Sequence, residues 1–350
     1  MVNPAQFSES RGKPARKASL ADVARRAGVS TATVSRALKN PEKVSVESRR
    51  LVDNAIEALC YIPDGAARAL ASRHSGIIGA VVPTLDNALF ASGIQSFQRK
   101  LRQQGYTLIV ASHEYDLDEE ANGVRMLLRQ GVDALLLVGS QHDPALVRLL
   151  EEQSVPFVNS WAYDPDSPYP HIGFDNRKAA RRMTEYLLSL GHEHFAVIVG
   201  RTKNNDRALE RLGGIRDALT TCGLILDDNL VLERSYSVRQ GRDAMRILLR
   251  SESRPTAVLC GNDILAIGAI AECQSAGVSV PGQVSITGFD DLDMSSQINP
   301  ALTTVRVRSA EMGERAAEFL VRQIRQEAHP QSLEIECELM VRDTTSRATA

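Results

Sequence analysis

Five cysteines in 350 residues stand far apart, at Cys60, Cys222, Cys260, Cys273 and Cys337. Their number is odd, and no CxxC pair or metal spacing joins them. A disulfide framework and a zinc module are therefore not expected, and a reducing cytoplasm is. No apolar run is long enough to span a bilayer, and the polar N-terminus has no signal-peptide core, so no membrane partner is expected. There is no GxSxG and no plausible Ser/His/Asp set. The "LGG" at 212–214 lacks the strand–glycine–helix arrangement of a nucleotide fingerprint and reads as close helix packing. An enzyme, a cofactor and a bound metal are thus not expected. His192 and His194 in "GHEHF" lack a third ligand, and Asp290, Asp291 and Asp293 lack ligand spacing. Tryptophan occurs once, at Trp161.

Net charge is close to zero, yet its distribution is uneven. Residues 1–74 carry 13 Lys+Arg against 7 Asp+Glu, and the remainder carries 28 against 36. A basic head on an acidic body implies a polyanionic partner for the head alone. Residues 1–18 read as a disordered basic tail among Gly, Pro and Ser.

The stretch "VSTATVSRALKNPEKVS", residues 29–45, holds five Ser or Thr residues within a helical pattern. Such residues weaken helix interiors, because their hydroxyls compete for backbone hydrogen bonds. They make sense when aimed at external acceptors such as phosphates. Ser19 precedes "LADVARRA" as an N-cap, with Leu20, Val23, Ala24 and Ala27 on the apolar face, and Gly28 suits the left-handed residue after the helix. Ser30 caps a second short helix that is expected to bury Val34 and Leu38. Two short helices joined by a tight Gly turn form a helix-turn-helix, whose second helix enters the major groove with its first residues on base edges. Thr31 and Ala32 occupy those positions. Arg36 faces the same way and can reach a guanine or a phosphate. Thr33, Ser35, Asn40 and Ser45 suit phosphate oxygens. A third helix comes next, capped at Ser45, with Leu51, Val52, Ala55, Ile56 and Leu59 inward.

From Ile77 apolar strands alternate with amphipathic helices, beginning "GIIGAVVP", "ALFASGIQSFQRKLRQQG" and "YTLIVAS". This pattern predicts parallel α/β sheets covered on both faces, two rather than one at this length, with a break near "HIGFDN" at 171–176. Ligands of open parallel sheets bind beyond the carboxyl ends of the strands. Beyond those ends stand Asn87 and Phe90, Trp161, Arg207 and Arg211, Tyr236, Asn262, and Asp290. Planar amides, carboxylates, arginines and aromatic rings together suit a sugar or sugar acid.

The runs "SLADVARRAGVSTATVSRALKN" and "VSVESRRLVDNAIEALCYIPDGAARALASRHSGIIGAVVP", with "RLGG", "GND" and "GFDD" further on, resemble the lactose/galactose repressor family of bacterial regulators over residues 19–345. The gluconate-repressor branch is the nearest in pattern. The resemblance implies a helix-turn-helix head at 19–63, a hinge helix and linker at 64–75, and a two-lobed core at 76–345 like the periplasmic sugar-binding proteins. Its first lobe would span about 76–173 and 304–330, and its second about 174–303 and 331–345. In the hinge, Ala67 and Leu70 would meet the minor groove, Leu70 as an apolar wedge. Arg211, Asn262 and Asp290 match effector-contacting positions and Tyr236 an aromatic contact. Trp161 stands where many relatives carry an aspartate. The implied function is a DNA-binding repressor controlled by a small polar effector and acting as a homodimer on a near-palindromic operator. The helix at 88–104, with Leu89, Phe90, Ile94 and Phe97, is a candidate dimer face, and core burial of the same residues is the alternative. Two alternatives remain: a carbohydrate-binding protein without gene regulation, and a purine- or nucleoside-responsive regulator.

Overall fold

The computed structural model describes residues 17–62, 74–327 and 331–348. The expected basic tail up to residue 16, and the hinge residues Ala67 and Leu70, lie outside the described residues. The chain divides into two units, Met1–Ser75 and Gly76–Ala350.

The head unit holds α1 (Leu20–Ala27), α2 (Thr31–Lys39) and α3 (Val46–Ala58). Ser19 opens α1 with a capping box: its hydroxyl accepts from the Asp22 amide, and the Asp22 carboxylate accepts from the Ser19 amide at 2.9 Å. Gly28 closes the helix at φ 66°, a conformation that costs glycine nothing. Val23, Ala24, Ala27, Val34, Ala37, Val52 and Ala55 form one buried cluster. The expectation for Leu38 and Leu51 fails, since they remain 38% and 39% exposed. The short Ala37 takes the inward place on α2, because residues three apart share a face as well as residues four apart.

The core begins with β1 (Ile77–Val82), α4 (Ala88–Gln103), β2 (Thr107–Ser112), α5 (Leu117–Arg129), β3 (Ala134–Val138), α6 (Pro144–Glu152), β4 (Phe157–Ser160) and β5 (His171–Gly173). It continues through α7 (Asn176–Ser189), β6 (Phe195–Gly200), α8 (Asp206–Thr221), β7 (Val231–Arg234), α9 (Val238–Leu249), β8 (Ala257–Cys260), α10 (Asp263–Ser275) and β9 (Ser285–Thr287). It ends with β10 (Thr304–Arg306), α11 (Ser309–Ile324), β11 (Leu333–Glu334) and β12 (Glu338–Met340). Two parallel sheets result. The first lobe has the order β11-β5-β4-β3-β1-β2, and the second has β7-β6-β8-β9. The strands β1, β3, β6 and β8 are almost wholly buried, as doubly covered parallel strands must be.

The chain crosses between lobes three times: after β5, between β10 and α11, and between β11 and β12. β10 and β12 pair antiparallel with each other. The expected boundary at 331 moves, because Leu333 and Glu334 pair in parallel with Ile172 and Gly173 of the first sheet. Residues 304–306 likewise sit beside the second lobe, where Arg306 bridges to Asp290. The expected dimer residues on α4 are core instead: Leu89, Phe90, Ile94 and Phe97 are buried. They lie beneath α11, which approaches so closely that a Cβ on Gly313 would strike the Gly93 carbonyl. Gly214 serves α8 in the same way, against the Arg177 carbonyl of α7, which accounts for "LGG".

Candidate functional site

On the head, Thr31, Ala32, Arg36 and Asn40 are exposed, and Thr33 and Ser35 are half-buried. Part of the Ser/Thr richness has a local cause. Ser30 accepts from the Thr33 amide at 3.1 Å and shares a hydroxyl bond with Thr33 at 2.9 Å. Ser45 accepts from the Ser48 amide at 3.2 Å. Ser30 and Ser45 are thus caps, and the Thr33 hydroxyl is engaged beside one of them. That leaves Thr31, Ala32, Ser35, Arg36 and Asn40 as the outward polar and small groups of α2.

In the core, the strand-end residues converge on one chamber between the lobes, with about 320 Å³ of space that is partly open to solvent. Asn87 and Phe90 arrive from the start of α4, Trp161 from the end of β4, and Arg207 and Arg211 from the start of α8. Tyr236, Asn262 and Asp290 come after β7, β8 and β9. All eight line the chamber, as do Asn205 and Tyr115. Tyr115 was not among the sequence candidates; its only signal is its place shortly after β2 ends at Ser112. The chamber opens into a wider outer cleft of about 1400 Å³ bordered by Arg201, Lys203 and Arg234.

Arg211 is buried and held on several sides. Its Nε donates to Asn176 Oδ1 at 2.9 Å, its Nη1 donates to the Gly261 carbonyl at 2.6 Å, and its guanidinium lies 3.8 Å over the Phe289 ring. Asn176 also donates to the Trp161 carbonyl at 3.0 Å, so a single amide ties the tryptophan backbone to the arginine. Trp161 meets Phe90 edge to face at 5.4 Å, and Tyr115 lies tilted against Tyr236 with centroids 6.1 Å apart. The Tyr236 hydroxyl accepts from Asn205 Nδ2 at 3.3 Å. Burial holds the Tyr115 phenol protonated well above its ordinary range.

Asp290 is buried with Arg211 Nη1 3.9 Å from its Oδ1, too far for a hydrogen bond. Burial pushes its pKa well up, against the pull of Arg211. The neighbouring turn is held by a different carboxylate. Asp263 accepts from the Leu292 amide at 2.7 Å, from the Ser295 hydroxyl at 2.6 Å and from the Thr304 hydroxyl at 2.5 Å. Asp291 is spent on Arg306 and Arg342, at 2.7 and 2.6 Å. His192 bonds Thr256, Ser285 and the Ser346 carbonyl as a strut under the second sheet.

Five described residues carry buried side-chain polar atoms without a hydrogen-bond partner, and three of them line this chamber: Trp161 Nε1, Asn262 Nδ2 and Asp290 Oδ1. Each such group costs about 1–3 kcal/mol unless something satisfies it. Backbone strain gathers here as well. Tyr115, Trp161, Asn204 and Asp290 have φ of 64°, 59°, 57° and 120°, a region that side chains other than glycine rarely adopt.

A strained, unsatisfied cleft between two parallel-sheet lobes, in a chain headed by a helix-turn-helix, defines a ligand-responsive DNA-binding regulator. The comparisons agree. Residues 19–64 match the model of the lacI family of bacterial regulatory proteins, and residues 75–343 match that of periplasmic binding proteins and the sugar-binding domain of the LacI family. The chain belongs to the lacI family. It is 34% identical over 311 residues to the HTH-type transcriptional regulator GntR of Escherichia coli strain K12, covering 88% of this chain and 92% of that one. The crystal structure of the Lac repressor dimer bound to operator and the anti-inducer ONPF superposes with a TM-score of 0.85 at 27% identity, over 95% of this chain and all of that one. The CelR–cellobiose complex superposes with a TM-score of 0.68 at 28% identity, over 93% of this chain and 99% of that one. Among the described residues no helix is long and apolar enough to cross a membrane.

Proposed function

We propose that this regulator is a cytoplasmic repressor rather than an enzyme, acting as a homodimer on a near-palindromic operator and answering to a sugar or sugar acid in the chamber. The head at 19–63 reads DNA through Thr31, Ala32 and Arg36, with Ser35 and Asn40 toward the backbone and Thr33, its hydroxyl bonded to Ser30, serving the helix cap instead. The hinge at 64–75, with Ala67 and Leu70 in the minor groove, rests on the family resemblance alone.

The observation that carries the effector reading is the trio of unpartnered atoms on the chamber wall. Trp161 and Asn262 offer donors, and Asp290 offers an acceptor for a hydroxyl. Asn87, Arg207 and Arg211 add amide and guanidinium edges, and Phe90 and Tyr236 add rings for C–H faces. The structural likeness to a CelR–cellobiose complex supports a sugar. The four aromatic rings on the chamber wall, Phe90, Tyr115, Trp161 and Tyr236, favour one second reading, a nucleobase or nucleoside packed against an aromatic face.

A thermal-shift screen of sugars, sugar acids and nucleosides tests both readings. A ligand at 100 times its dissociation constant stabilises by about 2.7 kcal/mol. Stabilisation by sugars or sugar acids, together with altered operator binding, supports the first reading. Stabilisation by nucleosides alone replaces it with the second.

A further inference from the structure

We propose that Asp206 is a positioning residue that latches the two lobes across the cleft and, through the same carboxylate, aims Arg207 into the chamber. Asp206 and Arg207 are the first residues of α8, in the second lobe. Val138 ends β3, in the first, and Gly139 and Ser140 follow it. Asp206 Oδ2 accepts the Ser140 amide at 2.5 Å, and Asp206 Oδ1 accepts Arg207 Nη1 at 2.7 Å. Arg207 Nη1 also donates across the cleft to the Val138 carbonyl at 3.1 Å. One carboxylate and one guanidinium therefore join the lobes at two backbone positions. Asn204 Nδ2 adds a bond to the Tyr115 carbonyl at 3.3 Å.

The receiving loop is shaped for this contact. Gly139 has φ 97°, and a Cβ there would collide with Arg207 Nη1 and stand 2.7 Å from Asp206 Oδ1. The tail of an arginine could move aside, but the left-handed backbone would still be strained. The close approach thus needs glycine on one lobe and a short acid on the other.

Asp206 lies outside the chamber lining, so its part differs from that of the residues facing a ligand. Its bond to Ser140 spans the cleft, so parting the lobes would break it, which makes it a differential interaction between open and closed states. It is also charge-assisted, the stronger class of hydrogen bond. The fraction of closed molecules scales the apparent affinity of any ligand that the closed chamber holds. Asp206 would therefore set how readily the cleft closes, and Arg207 would arrive in place as it does. The consequence for effector binding rests on the reading of the chamber given above; the latch itself does not.

The test uses the full chain without ligand or DNA. Small-angle scattering reports lobe separation, and acrylamide quenching reports access to Trp161, the only tryptophan and 1% exposed. Asp206→Ala should shift the open-to-closed ratio by about tenfold or more, the equivalent of one charge-assisted hydrogen bond. A larger radius of gyration and faster quenching should result. Gly139→Ala should do the same from the opposite lobe, and the double variant should open little further, since both changes break one contact. Asp206→Asn should fall between parent and Asp206→Ala, because its amide oxygen still accepts from Ser140. If Asp206→Ala and Gly139→Ala both scatter and quench like the parent, the latch is overturned. A lowered Tm without opening overturns it too, because that is what a purely local structural role would give. Because no ligand enters the measurement, a failed sugar screen leaves the latch result standing, and a failed latch leaves the screen standing.

Discussion

Asp290→Asn separates recognition from structure at the chamber. The substitution keeps the size of the side chain and removes its charge. In the folded chain the carboxyl is buried, Oδ1 has no hydrogen-bond partner, and its pKa stands well above the ordinary 3.8 because burial outweighs Arg211. A carboxyl whose folded pKa exceeds its unfolded one favours folding at acid pH, and loses that contribution as pH rises through the folded value. The Asn variant should therefore match or exceed the parent in Tm at neutral pH, with the gain vanishing in acid. The adjoining turn should survive, because Asp263 holds it through Leu292, Ser295 and Thr304. Effector binding should suffer instead. The amide oxygen can still accept a hydrogen bond but without the charge, a difference of about 1–1.5 kcal/mol, roughly 5- to 12-fold in affinity. Calorimetric titration with the best ligand from the screen measures this, and gel shifts with the operator show the outcome. An induced repressor carrying the change stays on its operator when ligand is added, and a co-repressed one binds poorly throughout. Unchanged ligand affinity in a folded variant refutes the assignment, and so does a large fall in Tm at neutral pH.

Arg36→Ala should cost about 1–3 kcal/mol of operator affinity if the guanidinium meets a base edge; a uniform loss across sequences with a shallower salt dependence would mark a phosphate contact instead. Ser19→Ala, which removes one half of the capping box on α1, should lower head stability by about 0.5–2 kcal/mol in thermal melts, with core stability unchanged. Asp263, whose pKa burial pushes up to about 6, should make core stability fall as pH rises from 3.8 through about 6; Asp263→Asn should flatten that part of the Tm–pH curve while lowering it overall. Leu70→Ala should reduce operator bending in a phasing assay while leaving ligand affinity unchanged, and equal bending would remove the wedge.

The parts most legible in the sequence were those carried by periodicity and punctuation. Ser19, Gly28 and Ser30 bound the helices of the head because capping is local chemistry, decided within three or four residues. The strands of both lobes were legible because doubly buried parallel strands are continuous apolar runs. The residues just past each strand then supplied all eight expected chamber residues, since open parallel sheets place ligands at that end. Leu38, Leu51 and the α4 residues went the other way for a shared reason. An apolar side chain announces that it prefers burial, but not which neighbour supplies it. Leu38 was displaced from the small head core by Ala37. Phe90 and Phe97 found their cover in α11, more than two hundred residues later in the chain.

The residues that sequence reading missed are those whose roles come from long-range pairing. Asn176 looks like an ordinary residue at the start of α7, yet it bonds Trp161 and Arg211, which come from different lobes. Asp206 looks like a favourable acid in the first turn of α8, as the helix dipole prefers. Only the folded chain shows its second oxygen spent on a backbone amide 66 residues away. Asp263 and Asp290 show the same limit within one motif class, since both are acids just past a strand end. One accepts three hydrogen bonds and fastens a turn. The other keeps an unpaired oxygen and a φ of 120°. Of the pair, the unsatisfied carboxyl on the chamber wall is therefore the one we propose takes its partner from the effector.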